Sequence, residues 1–69
     1  MRVVLNGHGR ELEEPATVAS AVVAAGAESR ARGLAVAVDG EVVPRGDWER
    51  TRLADGQRVE VLRAVQGGA

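Results

Sequence analysis

Leu34 to Pro44 reads LAVAVDGEVVP. Its alternation sends Val36 and Val38 to one side of a strand and Ala35 and Ala37 to the other, the two-residue period of an extended chain. Asp39-Gly40 makes a turn, and Val42-Val43 is a short returning strand that Pro44 ends. A hairpin with one apolar face needs a partner layer, and the flanking sequence supplies it.

Upstream, RVVLN (2–6) also alternates, with Val3 and Leu5 on one face and Val4 on the other. Asn6-Gly7 is a strong two-residue hairpin signal, so the first two strands pair, with a short polar return strand around Arg10 to Glu13. Pro15 and Thr17 then announce a helix. Thr17 caps its free amides, and Val18, Ala21, Val22 and Ala25 recur at the spacing of one apolar helical face. Gly26 is a stop signal. So short a helix, rich in β-branched valine, needs a sheet to pack against. The segment ESRARG (28–33) reads as a solvated connection.

Downstream, PRGDWERTRLADG (44–56) is a long connection in which Asp47 is placed to cap a single helical turn holding Trp48. Trp48, the chain's one aromatic, reads as a hydrophobic plug at one end of a small core. Asp55-Gly56 is a further turn, and QRVEVLRAV (57–65) is the last strand, with Val59 and Val61 inward and Arg58, Glu60 and Leu62 outward. The order strand, strand, helix, then three strands predicts an α+β domain: a mixed sheet of about five strands with one helix on one face. The helix covers Val3, Leu5, Val36, Val38, Val59 and Val61. Val4, Ala35, Ala37 and Leu62 are left on the open face, where several apolar residues together would form a docking surface.

Composition excludes several functions. The chain has 69 residues, a net charge of -1, no cysteine, and 9 basic residues that are all arginine. It is one small domain without disulfide, thiolate metal site, cysteine nucleophile or lysine amine. A balanced charge and a single aromatic argue against nucleic-acid binding. The longest apolar run, Ala21–Ala25, is far short of a bilayer span, and the start lacks a signal-peptide pattern, so the expected location is the cytoplasm. His8 is the only histidine and reads as a solvated turn residue. Glu13-Glu14 are adjacent rather than facing across a cleft, and Thr17, Ser20, Ser29 and Thr51 have no base nearby in sequence. No phosphate-binding glycine loop occurs. These residues point to a binding module, a structural part or a carried substrate rather than an enzyme.

The pieces VLNG, TV opening the helix, VDGEVVPR separated by two residues from W, LADGQRVEVLRAV and the closing QGG, in this order, resemble the sulfur carriers of thiamine biosynthesis (ThiS-like), a ubiquitin-like β-grasp family. The resemblance spans nearly the whole chain. It implies a β-grasp body over residues 1–65 and a flexible Gly-Gly tail over 66–69. It further implies a carrier whose terminal glycine, here Gly68 with Gly67 beside it, is adenylated by an E1-like enzyme that uses ATP. A sulfur donor such as a cysteine desulfurase would then convert the adenylate to a thiocarboxylate, and thiazole synthase would receive the sulfur. No bound cofactor is implied, and the chain alone is expected to be monomeric.

Glycine suits such a tail because it lets the backbone enter a narrow channel without a side chain in the way. From Arg63, five extended residues to Gly68 reach at most about 16–18 Å. Under this resemblance the partners read the body from the open face, through Leu62, Val4 and Ala37. Ala69 departs from the pattern because it ties Gly68 into a peptide bond. Proteolytic removal, a residue left by recombinant production and tolerance of a terminal alanine are all open. So are two other functions: a carrier serving molybdopterin or cysteine synthesis, and a β-grasp interaction module with an inert tail.

Overall fold

A computed structural model gives the architecture of residues 1–27 and 32–63. Five strands and one helix follow in the order β1 (Arg2–Leu5), β2 (His8–Glu11), α1 (Val18–Ala24), β3 (Leu34–Val38), β4 (Glu41–Val43) and β5 (Arg58–Arg63). A 3-10 turn over Arg45–Asp47 lies between β4 and β5. The strands form one sheet in the order β2-β1-β5-β3-β4. The two hairpins are antiparallel, β5 runs antiparallel to β3, and β1 lies parallel to β5 at the centre. This is the β-grasp layout expected from the sequence. Among the described residues no helix is long and apolar enough to cross a membrane.

Both hairpin turns have the left-handed geometry that Asn-Gly and Asp-Gly favour. Asn6 and Gly7 sit at φ 49° and 85°, and Asp39 and Gly40 at 50° and 86°. A two-residue turn brings Leu5 directly opposite His8, so β2 begins at His8 rather than near Arg10. Every residue of β2 is exposed, as a polar edge strand requires.

Helix α1 starts where the sequence placed it. Thr17 accepts from the Ser20 amide at 3.3 Å, and Ser20 Oγ accepts from the Thr17 amide at 3.1 Å, a reciprocal cap. The next two amides, Val18 and Ala19, donate to the carbonyls of Thr51 and Trp48. Val18, Ala21 and Val22 are buried against the sheet, Ala25 is the half-buried C-cap, and Gly26 takes the left-handed conformation beyond it.

The core joins the helix to the inner faces of the strands: Val3, Leu5, Val36, Val59 and Val61 are buried there, with Val38 half-buried. Trp48 closes one end at 2% exposure; its indole N–H donates to the Val43 carbonyl at 2.9 Å, and the Arg45 guanidinium lies 4.6 Å above the ring. Leu12, Ala16 and Leu53 complete the core from connecting segments.

Asp47 does not cap the short turn. Pro44, in extended geometry, leads into that turn, and Asp47 ends it. The Asp47 carboxylate instead accepts from Arg50 Nε at 2.9 Å, while its carbonyl accepts from the Thr51 amide and hydroxyl. A proline at the entrance has a preset φ and lacks the amide a capping side chain would serve.

Candidate functional site: the open sheet face and the end of the last strand

Strand β5 alternates as its pattern requires, with Val59 and Val61 buried and Arg58, Glu60 and Leu62 exposed. Leu62 is 61% exposed and pairs across the sheet with Ala35. Ala37 lies between Glu60 on one side and Val42 on the other, and Val42 is 74% exposed. Leu62, Ala35, Ala37 and Val42 thus make a short apolar strip running from β5 over β3 to β4. Val42 was not assigned to a face from sequence; its pairing with Ala37 puts it there.

Val4 belongs to the same face but not to that strip. It is half-buried and stands opposite Arg58, four residues from Leu62 and hence about 13 Å along the strand. The Arg2 side chain lies across Gly9 next to Val4: a Cβ on Gly9 would come 2.5 Å from Arg2 Nη1. The open face therefore has an apolar end near the chain exit and a charged end carrying Arg2, Glu11 and Arg58.

The backbone of β5 is gripped by two turn side chains. Asp39 Oδ1 accepts from the Arg58 amide at 3.0 Å, and Asp39 Oδ2 accepts from the Gln57 side-chain amide at 3.1 Å. At the other end Asn6 Oδ1 accepts from the Val61 amide at 2.8 Å, and Asn6 Nδ2 donates to the Val61 carbonyl at 3.2 Å. Gln57 and Val59 turn their carbonyls toward β1, where they accept from the amides of Val4 and Asn6. The Asn6 side chain continues that parallel ladder by one more residue after the β1 backbone has turned away.

The remaining candidates form no reactive cluster. His8 is exposed in β2, Glu13 and Glu14 are exposed, and no group of three or more metal-ligating side chains occurs among the described residues. An open concavity of about 770 Å³ is lined by Ala19, Arg32, Gly33, Leu34, Arg45, Gly46, Trp48 and Glu49, with no hydroxyl or thiol among these described residues. The amides at the start of α1 are taken by Thr17, Trp48 and Thr51, which leaves no anion cradle at Val18, Ala19 or Ser20. Gly67 and Gly68, the 65/66 boundary and residues 28–31 of the connection lie outside the described residues.

The comparisons with known proteins agree with this geometry. The model of the ThiS family matches residues 3–68. The crystal structure of a thiamine biosynthesis protein (ThiS) from Geobacter metallireducens superposes with a TM-score of 0.77 at 28% identity, over 99% of this chain and 100% of that one. The solution structure of a thiamine biosynthesis protein from Geobacter metallireducens gives 0.76 at 28% identity, over 100% of this chain and 90% of that one. No curated protein matches this chain in sequence. With the hairpin, helix and mixed-sheet order in place and a family match over nearly its whole length, the chain belongs to the ThiS family of ubiquitin-like β-grasp proteins.

Proposed function

We propose that this protein is a sulfur carrier of thiamine biosynthesis, a co-substrate rather than a catalyst. The observation that carries the reading is the extent of the family match, which runs through the strand and Gly-Gly pattern and stops at Gly68, one residue before Ala69. In this reading the Gly68 carboxylate attacks the α-phosphate of ATP on an E1-like partner and releases pyrophosphate. The persulfide of a donor such as a cysteine desulfurase then displaces AMP to form an acyl disulfide, and a second thiol on a partner protein reduces that S–S bond, releasing the thiocarboxylate and leaving a disulfide on the partner. Thiazole synthase consumes that sulfur, and the carboxylate is regenerated. ATP belongs to the partner. Ala69 must be absent for the first step, because a peptide carbonyl has no free carboxylate oxygen to attack phosphorus.

Partner recognition falls to the open face, with Leu62 and Ala37 in the apolar strip and Val4 at the charged end. The chain ending at Gly68 and the chain ending at Ala69 should be incubated with the adenylating enzyme, ATP and a sulfur donor, then weighed intact. Exchange of one oxygen for one sulfur in the Gly68 chain alone is the expected result; no exchange in either chain sinks the reading. Leu62→Glu should weaken binding to the adenylating enzyme while shifting stability by less than about 0.5 kcal/mol, as surface changes do. An unfolded Leu62→Glu protein would contradict its outward position.

A further inference from the structure

We propose that Asn6 is a positioning residue, a side-chain clasp that fixes where, and in which direction, the chain leaves the body toward Gly68. The inference rests on the carrier reading and adds to it a residue far from the tail in sequence.

The argument begins with the backbone. Asn6 sits at φ 49°, a left-handed conformation that asparagine tolerates better than most residues. There its amide N–H donates to the Val59 carbonyl at 2.9 Å, while its side chain meets both the N–H and the C=O of Val61. Val61 thus commits both backbone groups to Asn6 on the β1 side, and stands opposite Val36 in the register with β3. Beyond it β5 continues for Leu62 and Arg63 with β3 partners, Ala35 and Leu34. β1 has no further residue to offer, because Asn6-Gly7 turns the chain back into β2. Val61 is thus the last residue of β5 held from the β1 side, and Leu62 and Arg63 beyond it have partners in β3 alone.

Beyond Arg63, the last residue paired with β3, five residues lead to Gly68, at most about 16–18 Å of extended chain. Over that length a change of about 10° in departure direction moves the far end by about 3 Å. Reaction of the Gly68 carboxylate with ATP needs approach to about 3–3.5 Å. A clasp at Val61 therefore acts on the reacting end without touching it. Binding of the body through the open face draws on the side chains of Leu62, Ala35, Ala37 and Val42, whereas the bonds of Asn6 go to the backbone of Val59 and Val61.

The test uses the full chain ending at Gly68 in ATP–pyrophosphate exchange with the adenylating enzyme. Asn6→Gly keeps the left-handed turn and deletes the clasp. Asp39→Gly makes the same change in the other turn, which grips the start of β5. Asn6→Gly should lower kcat roughly ten- to a hundred-fold, the scale on which small misplacements act, and leave KM for the carrier unchanged. Hydrogen exchange at the Val61 amide should accelerate in the same variant. Asn6→Asp, which keeps the acceptor for the Val61 amide and loses the donor, should fall between. Asp39→Gly should leave kcat near the parent value. Unchanged kcat in an Asn6→Gly protein whose Val61 amide has lost protection would overturn the proposal. So would an equal loss in Asp39→Gly, which would make the effect a general loosening of β5, or a rise in KM alone. If the parent chain itself supports no exchange, the carrier reading falls and takes this inference with it.

Discussion

Asn6-Gly7 and Asp39-Gly40 are the same turn in backbone terms, with φ values that agree within about a degree, yet their first side chains differ in a way the rest of the fold explains. Both reach the backbone of β5. Asp39 meets two donors, the Arg58 amide and the Gln57 side-chain amide, and a carboxylate can serve both because it only accepts. Asn6 meets one donor and one acceptor on a single residue, the N–H and C=O of Val61, and its amide serves both at once where a carboxylate could not. The position of each turn along β5 sets the chemistry of its first residue. At the start of the strand the turn faces exposed donors; near its end it stands in for a missing strand. Two dipeptides that read alike as hairpin signals are therefore not interchangeable.

Alanine at each position should give the largest effects and unequal ones. Both replacements put alanine into the left-handed region in place of a residue whose short polar side chain makes that conformation tolerable, which costs on the order of 1 kcal/mol. Asn6→Ala also strands a part-buried N–H and C=O, a further loss of about 2 kcal/mol, whereas water can replace the exposed partners of Asp39 for about 1 kcal/mol. Urea unfolding should thus show losses of about 3 kcal/mol for Asn6→Ala and about 2 kcal/mol for Asp39→Ala. Equal losses would mean that the backbone conformation alone matters and that the contrast between the two side chains has no energetic content.

The isosteric exchanges sharpen the same contrast with smaller effects. Asn6→Asp sets a carboxylate oxygen against the Val61 carbonyl and removes a donor, for a loss of about 1–2 kcal/mol. Asp39→Asn keeps an acceptor for the Arg58 amide and loses only the exposed contact to Gln57, for about 0.5 kcal/mol. Thermal melts of the two variants should rank in that order. The reverse ranking would show that ionisation of residue 39, rather than donor and acceptor matching, governs the turn.

Much of this fold was legible in the chain. Alternation in Val3–Leu5, Ala35–Val38 and Arg58–Leu62 gave the inner and outer faces correctly, and Thr17 marked the helix start. What escaped has a common cause. Leu12, Ala16 and Leu53 are single apolar residues in polar segments, so no periodicity announces their burial. The clasp of Asn6 on Val61 spans 55 positions, and nothing local distinguishes it from an ordinary Asn-Gly turn. Asp47 looked like a cap because aspartate often is one; the proline three residues earlier had already set the turn. Leu62 and Ala37 share a face in the sequence pattern and lie close in the fold, while Val4 shares that face but lies about 13 Å along the strand, a distance that alternation does not encode. The role proposed for Gly67 and Gly68 rests on the resemblance to a family, since two glycines carry no chemistry of their own until a partner supplies it.

The opposite end of β1 offers the finest comparison, because it is held by charge where Asn6 holds by neutral hydrogen bonds. The Met1 amine donates to the Leu12 carbonyl at 3.0 Å and lies 3.4 and 3.5 Å from the carboxylates of Glu11 and Glu14. Burial works to lower its pKa, but the hydrogen bond and charge of Glu11, joined by Glu14, outweigh that and leave it above the ordinary value of 8.0. A cation favoured by folding contributes stability that is complete below pH 8 and is lost as pH rises through the higher pKa of the folded state. The chain has no lysine, tyrosine or cysteine, so this amine is the group whose ordinary pKa falls in the alkaline range. The melting temperature should therefore fall on passing above pH 8, and an Nα-acetylated chain should not show that fall. The Val61 amide, held by a side chain without a charge, should keep its protection relative to its intrinsic exchange rate across the same titration. If that relative protection disappears along with the amine's charge, the two ends of β1 are one cooperative unit, and the independence of the Asn6 clasp is refuted.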